Sequence, residues 1–406
     1  MLDVLIAGAG PAGAIAARQL ALAGARVLMV DRETCPRDKL CGDTLNPGAL
    51  ALLESLALRG GPLAAAQSLN GWRVTGPGAS VDAPYDTGRA GAALTRRDLD
   101  AWLVEQAVAA GARFEPAMTV QSALTEGAGR DAVVRGLVLR SATGTVTRMP
   151  ALVTIGADGR RSAVARSVGL GSHPRRPRRW AYGTYFVSVR AGADGCGQVR
   201  AGAEGCGQVR ASAGGGGQVR AGAMGEMHIR PGWYCGIAPL ADGRVNVCVV
   251  TERREGADAP LALIRRYLAS DRALRERFAN AECAGPVMVL GPLAVDVATA
   301  GTSGLLLAGD AAGFVDPVTG DGVNLAMQGA LLAADEAQRV LQTGDWTGVI
   351  ERLNKRRSEI LGPKLRFNRV IRVLTSSPIG VRAAGLGALA APGLLRRIII
   401  RAGDAA

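Results

Sequence analysis

Four things are scarce in this 406-residue chain: lysine, aromatic residues, paired cysteines and long apolar runs. Only Lys39, Lys355 and Lys364 are lysines among 48 basic residues, and Phe, Trp and Tyr make up 4% of the chain. The seven cysteines are odd in number, scattered and never spaced C-x-x-C. That argues against a disulfide framework or a zinc site and for a reducing, cytoplasmic setting, so no metal is expected. No uncharged apolar run reaches the ~18 residues a membrane-spanning helix needs. A hydrophobic content of 48% with 20% charged residues excludes a disordered chain, and the length suggests two or three domains.

The formal net charge of +13 raises nucleic acid or an anionic membrane as partners. The basic residues are spread along the chain, and no aromatic-interleaved basic motif occurs. No nucleic-acid partner is therefore expected, while peripheral attraction to the inner face of a membrane stays open.

The apolar N-terminus, LDVLIAGAGPAGAIAARQLALAGARVLMV (residues 2–30), lacks the basic start of a signal peptide and is interrupted by glycines at fixed offsets. It reads as strand (4–7), helix (13–23) and second strand (26–30). Gly8, Gly10 and Gly13 give the G-x-G-x-x-G spacing. The first allows a tight turn, the second lets backbone approach a pyrophosphate, and the third lets helix pack on strand. The helix N-terminus offers free N–H groups to the phosphates. Asp31 ends the second strand, where an acid can bond a ribose hydroxyl. The pattern points to a dinucleotide.

Three further segments separate FAD from a nicotinamide. LTRRDLDAWL (94–103) opens a helix at Arg96, with Leu99 and Leu103 facing inward. VTIGADGRRSAVARSVGL (153–170) reads as a strand, a GADG turn and a helix containing Arg161 and Arg166. LLLAGDAAGFVDPVTGDGVNLAM (305–327) brings Asp310 to a strand end, where it can bond a sugar-alcohol chain. A helix then starts near Val323, its dipole aimed at whatever precedes it.

With GAGPAG (8–13), LCGDTLNPGAL (40–50), R-x-x-L-D (96–100), GADG (156–159) and GDAAGFVDPVTGDG (309–322), the chain resembles the geranylgeranyl reductase family of FAD-dependent oxidoreductases. That family belongs to the p-hydroxybenzoate-hydroxylase-like flavoproteins. The resemblance implies that Ala12, Asp31, Arg96, Asp310, Gly322 and Val323 contact FAD, with Asp158 also at the cofactor and Val120 near the adenine. It places Cys41 and Gly42 close to the flavin. It makes PGWYCGIAPLADGRVNVCVV (231–250) a substrate-domain strand pair in which an aromatic, here Tyr234, lines the cavity. Two positions depart from the family pattern: Asp31 stands where Glu is usual, and Cys235 or Gly236 replaces a second aromatic.

The expected architecture is α/β, with a Rossmann-type FAD-binding domain at 1–70, 95–170 and 285–345. It is interleaved with a β-sheet substrate domain at 71–94 and 172–284, and a helical C-terminal segment follows at 346–406. Within the substrate domain, AGADGCGQVR, AGAEGCGQVR and ASAGGGGQVR repeat in tandem at 191–220. With one valine each they bury too little apolar area to offset their ordering entropy, which favours an inert loop expansion over a lid. The apolar, arginine-dotted 377–401 stretch reads as a core-packing helix pair or as an interfacial anchor.

The leading functional reading is reduction of isoprenoid-type double bonds by hydride from reduced flavin, with Cys41, a tyrosine such as Tyr234, or water as candidate proton donor. A second reading is an FAD-dependent monooxygenase that hydroxylates or epoxidises through a flavin hydroperoxide. A third is a non-catalytic flavin carrier. There is no second strand–GxGxxG–helix unit. NAD(P)H therefore binds transiently near the flavin, or an electron-donor protein replaces it.

Overall fold

A computed structural model describes residues 2–189 and 223–383, apart from 87, 128, 130, 131, 175–177, 253, 256–258 and 378, together with 393, 396–398 and 400. The decapeptide repeats at 191–220 and much of the 377–401 stretch lie outside the described residues.

The first strand, Leu2–Ala7, is apolar without alternation, as a strand covered on both faces must be. It pairs in parallel with Val27–Val30 on one side and Val146–Gly156 on the other. Arg113–Glu115 and Leu305–Leu307 extend the parallel sheet at either end. Val4 and Ile6 pack under helices Pro11–Leu22, Arg96–Ala109 and Gly322–Thr343. Leu5 and Ala7 face the antiparallel hairpin Met118–Glu126/Val133–Ser141 and the short helix Ala163–Ser167. The dinucleotide-type half of the fold is thus a three-layer sandwich.

Pro11 starts the first helix two residues before the glycine pattern places it, because proline at the first helical position loses no hydrogen bond. Gly8 sits at φ +97°, and a Cβ there would run into the backbone of Ala157. A Cβ on Gly13 would run into the carbonyl of Gly8, so this glycine lets the helix close onto the turn. Arg161 lies just before the helix assigned to it, because Ser162 caps that helix by accepting from Ala165 N at 2.9 Å.

The second sheet runs in the order Glu282–Cys283, Trp180–Val187, Val245–Thr251, Trp233–Pro239, Ala223–Arg230, Gln67–Gly76, Gly91–Ala93, Thr44–Leu45. Met288–Leu290 pairs with Trp180–Val187, and Ala79–Pro84 pairs with Gln67–Gly76. Thr44–Leu45 and Met288–Leu290 fall in stretches that the sequence groups with the cofactor-binding pieces. Strands of two and three residues carry no period-2 signal to betray them.

Along this sheet the side chains alternate strictly. Cys235, Val247 and Val249 pack under helices Pro260–Ser270 and Arg272–Phe278. Tyr234, Cys248 and Val250 turn the other way, toward Leu40, Leu293 and Val318. That second face closes over the carboxyl end of the parallel sheet. Helices Val349–Ile360 and Gly362–Thr375 complete the described fold. Among the described residues no helix is long and apolar enough to cross a membrane.

Candidate cofactor and substrate site

Gly8, Gly10, Asp31, Val120 and Asp158 line one groove at the carboxyl ends of the parallel strands, where open α/β sheets bind ligands. The Asp31 carboxylate accepts from Ala9 N at 2.8 Å and from Glu33 N at 3.0 Å, which fixes it at the end of its strand. Arg37 Nη2 lies 3.6 Å from Asp31 and 3.4 Å from Asp100. Arg96 holds the same Asp100 in a bidentate pair at 2.7 and 2.9 Å. Two guanidiniums thus share a wholly buried carboxylate, and Arg37 Nε is buried without a partner.

Asp158 does something the spacing did not suggest. It accepts from Ala163 N at 2.7 Å, bracing the turn into the next helix, and its Oδ1 is buried with no partner. Burial raises its pKa.

Gly10 also borders a second cavity, of about 160 Å³, together with Ala12, Cys41, Gly42 and Arg96. Asp310, Gly322, Val323 and Tyr234 line the same cavity. Groove and cavity share Gly10, Lys39, Ala157 and Arg160, so they form one continuous site. Gly13 is the one sequence-predicted residue that borders neither; its work is packing the helix on the turn. Asp310 Oδ2 lies 3.6 Å from Arg160 Nε, whose guanidinium stacks 5.6 Å over the Phe314 ring. The 22-residue helix that begins at Gly322 presents its N-terminal N–H groups here.

Burial pushes the Cys41 thiol up, while the Arg96 guanidinium and the Asp43 N–H act to lower it. Behind it, Asp43 accepts from Tyr185 Oη at 2.6 Å, Asn246 Nδ2 at 2.8 Å and Arg96 N at 3.2 Å. These bonds hold Asp43 at φ +53°, in the left-handed region. Burial pushes its carboxyl up to about 6 against the pull of those donors. Asn246 also donates to the Cys41 carbonyl at 3.1 Å, tying the cysteine–glycine turn to the second sheet.

Tyr234 is committed elsewhere. Its hydroxyl donates to Asp316 at 2.7 Å, and Asp316 pairs with Arg179 at 2.9 Å. Arg179 also lies 5.5 Å over the Tyr234 ring. Burial, then the Asp316 charge, raise the phenol well above 10. The remaining cavity wall is apolar and sulfur-bearing: Leu40, Met227, Cys248, Leu290, Phe314 and Val250.

Several functional candidates escape the sequence. Arg37 and Asp43 flank the Cys41–Gly42 turn, and Asp316 lies inside the quoted DPVTGDG loop. Nothing local marks any of them as buried. Arg179 carries no sequence signal at all, since only the tertiary fold brings it to Asp316.

A glycine-shaped turn at a parallel strand end, two arginines beside it, and a helix N-terminus facing an apolar cavity define a dinucleotide flavoprotein. The chain belongs to the FAD binding domain family, whose pattern matches residues 1–358. It is an FAD-dependent oxidoreductase, and curated proteins that it resembles are named as reductases. It is 32% identical over 339 residues to the menaquinone reductase of Mycobacterium tuberculosis (strain ATCC 25618 / H37Rv), covering 82% of this chain and 76% of the relative. The digeranylgeranylglycerophospholipid reductase of Methanosarcina acetivorans is 28% identical over 348 residues, covering 84% and 76%. Among solved structures, the flavin-dependent brominase Bmp2 superposes with a TM-score of 0.78 at 19% identity, over 100% of this chain and 94% of that one. A geranylgeranyl bacteriochlorophyll reductase-like protein from Thermoplasma acidophilum gives 0.75 at 19% identity, over 95% and 90%. At that identity the structural likeness speaks for the fold alone.

Proposed function

We propose that this enzyme reduces a carbon–carbon double bond, or a quinone, in an isoprenoid-type lipid. The observation that carries the reading is the cavity wall. Tyr234 is engaged by Asp316 and Trp72 Nε1 by Tyr85 Oη at 2.9 Å, so that away from Lys39 and Arg160 the wall is an apolar, thiol-bearing surface against the cofactor helix. The named activities of the mycobacterial and archaeal relatives agree with it.

Bound FAD supplies the reducing equivalents. Gly8, Gly10 and the Pro11–Leu22 helix start would take its pyrophosphate, with Arg37 and Arg96 balancing the charge. Asp31 and Val120 would meet the adenosine end, and Asp158 would brace the turn beside it. Ala12, Asp310, Gly322 and Val323 would cradle the flavin end. The orphaned Arg37 Nε is a donor that a doubly anionic diphosphate would satisfy. Cys41 holds a proton at Sγ beside the cavity, and Arg96 with the Asp43 N–H would stabilise the thiolate left when it is given up. Tyr234 positions the wall rather than donating, because its proton is bound to Asp316. Leu40, Leu293 and Val318 exclude water. Electrons arrive from NAD(P)H bound transiently or from a donor protein, and the enzyme meets its lipid at a membrane surface.

The test is anaerobic. Enzyme reduced with dithionite is mixed with a menaquinone-type or geranylgeranyl lipid in detergent, and flavin absorbance is followed. Reoxidation with a saturated or quinol product is expected. If only O₂ reoxidises the flavin, with a hydroxylated or epoxidised product, the monooxygenase reading replaces this one.

A further inference from the structure

The charge of the chain is unevenly placed. From residue 360 to 403 there are eight basic residues and no acidic one. The described part of this stretch is led by the helix Gly362–Thr375, whose two faces differ sharply.

Its inner face holds the loop that precedes the cofactor helix. Lys364 Nζ lies 3.0 Å from Asp321, and Asn368 accepts from Thr319 Oγ1 at 3.1 Å. Thr375 and Ser376, at its end, bond Arg179 at 3.1 and 2.7 Å, and through Arg179 they reach Asp316 and Tyr234. Asn368 and Thr375 are buried accordingly.

The outer face is exposed and apolar. Val370 is 57% exposed, Val373 67% and Leu374 43%. These positions lie three and four residues apart, on one side of the helix, with exposed Arg366 and Arg369 among them. At 3.6 residues per turn these five positions span an arc of roughly 140°. Just beyond the helix, Ile379 is 80% exposed. β-Branched and leucine side chains standing clear of the surface, interleaved with arginine on a helix that carries no acid, match the boundary between lipid headgroups and acyl chains. The apolar groups enter that boundary, while long arginine stems reach back to the phosphates. A hydrated acidic protein would satisfy the arginines and leave the valines in water. That decides between the two anionic surfaces.

We propose that the outer face of Gly362–Thr375 is the surface by which this enzyme docks on an anionic lipid bilayer. The same helix braces the Asp316–Asp321 loop of the cofactor site from behind. The inference rests on the membrane encounter proposed above and names the face that makes it.

The test is co-sedimentation of the full-length holoenzyme with vesicles of phosphatidylglycerol and phosphatidylcholine, or of phosphatidylcholine alone, without turnover. Binding is expected to the anionic vesicles, at least tenfold weaker to the neutral ones, and weaker as salt rises. V370E/V373E should lower the partition coefficient at least tenfold while flavin content and thermal midpoint stay within error, since both positions are exposed. R366Q/R369Q should weaken binding less and flatten its salt dependence. If wild-type protein does not sediment with anionic vesicles, the membrane encounter itself falls. If wild type and V370E/V373E sediment alike, the encounter stands and this face is the wrong one. A wild-type dimer that V370E/V373E converts to monomer, with vesicle binding unchanged, would make the face a contact between copies and would also overturn the assignment.

Discussion

The two faces of the second sheet handle buried charge in opposite ways. On the cavity face, Asp43 is held by a phenol, an amide and a backbone N–H, all neutral donors. Burial dominates there and pushes its carboxyl up to about 6. On the helix-covered face, one residue from cavity-lining Met227, Glu226 takes a bidentate pair with Arg277 at 2.6 and 2.9 Å and a bond to His228 Nε2 at 2.9 Å. Its carboxyl falls to about 2, because His228 and Arg277 outweigh the burial that opposes them. His228 Nδ1 in turn meets Thr75 Oγ1 at 2.8 Å, so the histidine is held at both ring nitrogens. A half-buried acid paired with cations thus becomes a structural lock, and a fully buried one paired with neutral donors a titratable group. The cavity face keeps the titratable kind, next to Cys41.

The largest expected effect lies on the locked face. Glu226→Ala strips Arg277 and His228 of their partner and should cost about 3 kcal/mol of stability, read as a lower denaturation midpoint. Flavin content and turnover per folded molecule should be unchanged; a turnover defect at full stability would undo the division between faces. On the cavity face, Cys41→Ala should keep the fold and the flavin but lower kcat by about 10²-fold, the usual scale for losing a positioned acid. Wild-type kcat in this variant would remove Cys41 from the chemistry. Tyr234→Phe removes one bond from Asp316, which keeps Arg179 and Val318 N, so about 1 kcal/mol of stability is expected to go. The reaction should survive, and a loss of kcat as deep as that of Cys41→Ala would make the phenol the proton donor instead.

The comparison can also be read in pH. Asp43 and Asp321 both titrate near 6 in the folded chain against an ordinary 3.8. Between about pH 4 and 6 the folded chain keeps protons that the unfolded chain has released, so stability falls as pH rises through that window. Glu226 runs the other way. Its contribution is present above its ordinary 4.5 and is lost as pH falls toward about 2. Thermal midpoints across pH 3–7 should therefore fall above pH 4, and Asp43→Asn should flatten part of that fall. An unchanged decline in the variant would remove Asp43 as its source.

Local patterns made much of the cofactor half legible. The G-x-G-x-x-G turn, the strand-end Asp31 and the Gly309–Asp310 turn each follow from chain geometry within about twenty residues, and the structure brings all of them to one continuous groove and cavity. Arg96 opens its helix as the pattern predicts, with Thr95 capping it by accepting from Asp98 N. The readings that shifted were those in which a side chain had another suitor. Asp158 matched a cofactor motif but spends its carboxylate on the next helix start. Tyr234 matched a cavity position but gives its proton to a residue 82 positions away.

By itself, then, the sequence determined the strand–turn–helix that takes a dinucleotide, the alternation that splits the second sheet into two faces, and the basic, acid-free C-terminal stretch. All three depend on spacing along one segment. Only the tertiary structure decided which acids are locked and which titrate, that Arg179 joins Tyr234 and Asp316 to the last helix, and that this helix braces the cofactor loop while showing valines to solvent. Those outcomes depend on burial and on partners as far as 205 residues apart. Electrostatics in a folded chain is set by what surrounds a group, and spacing along the chain does not record it.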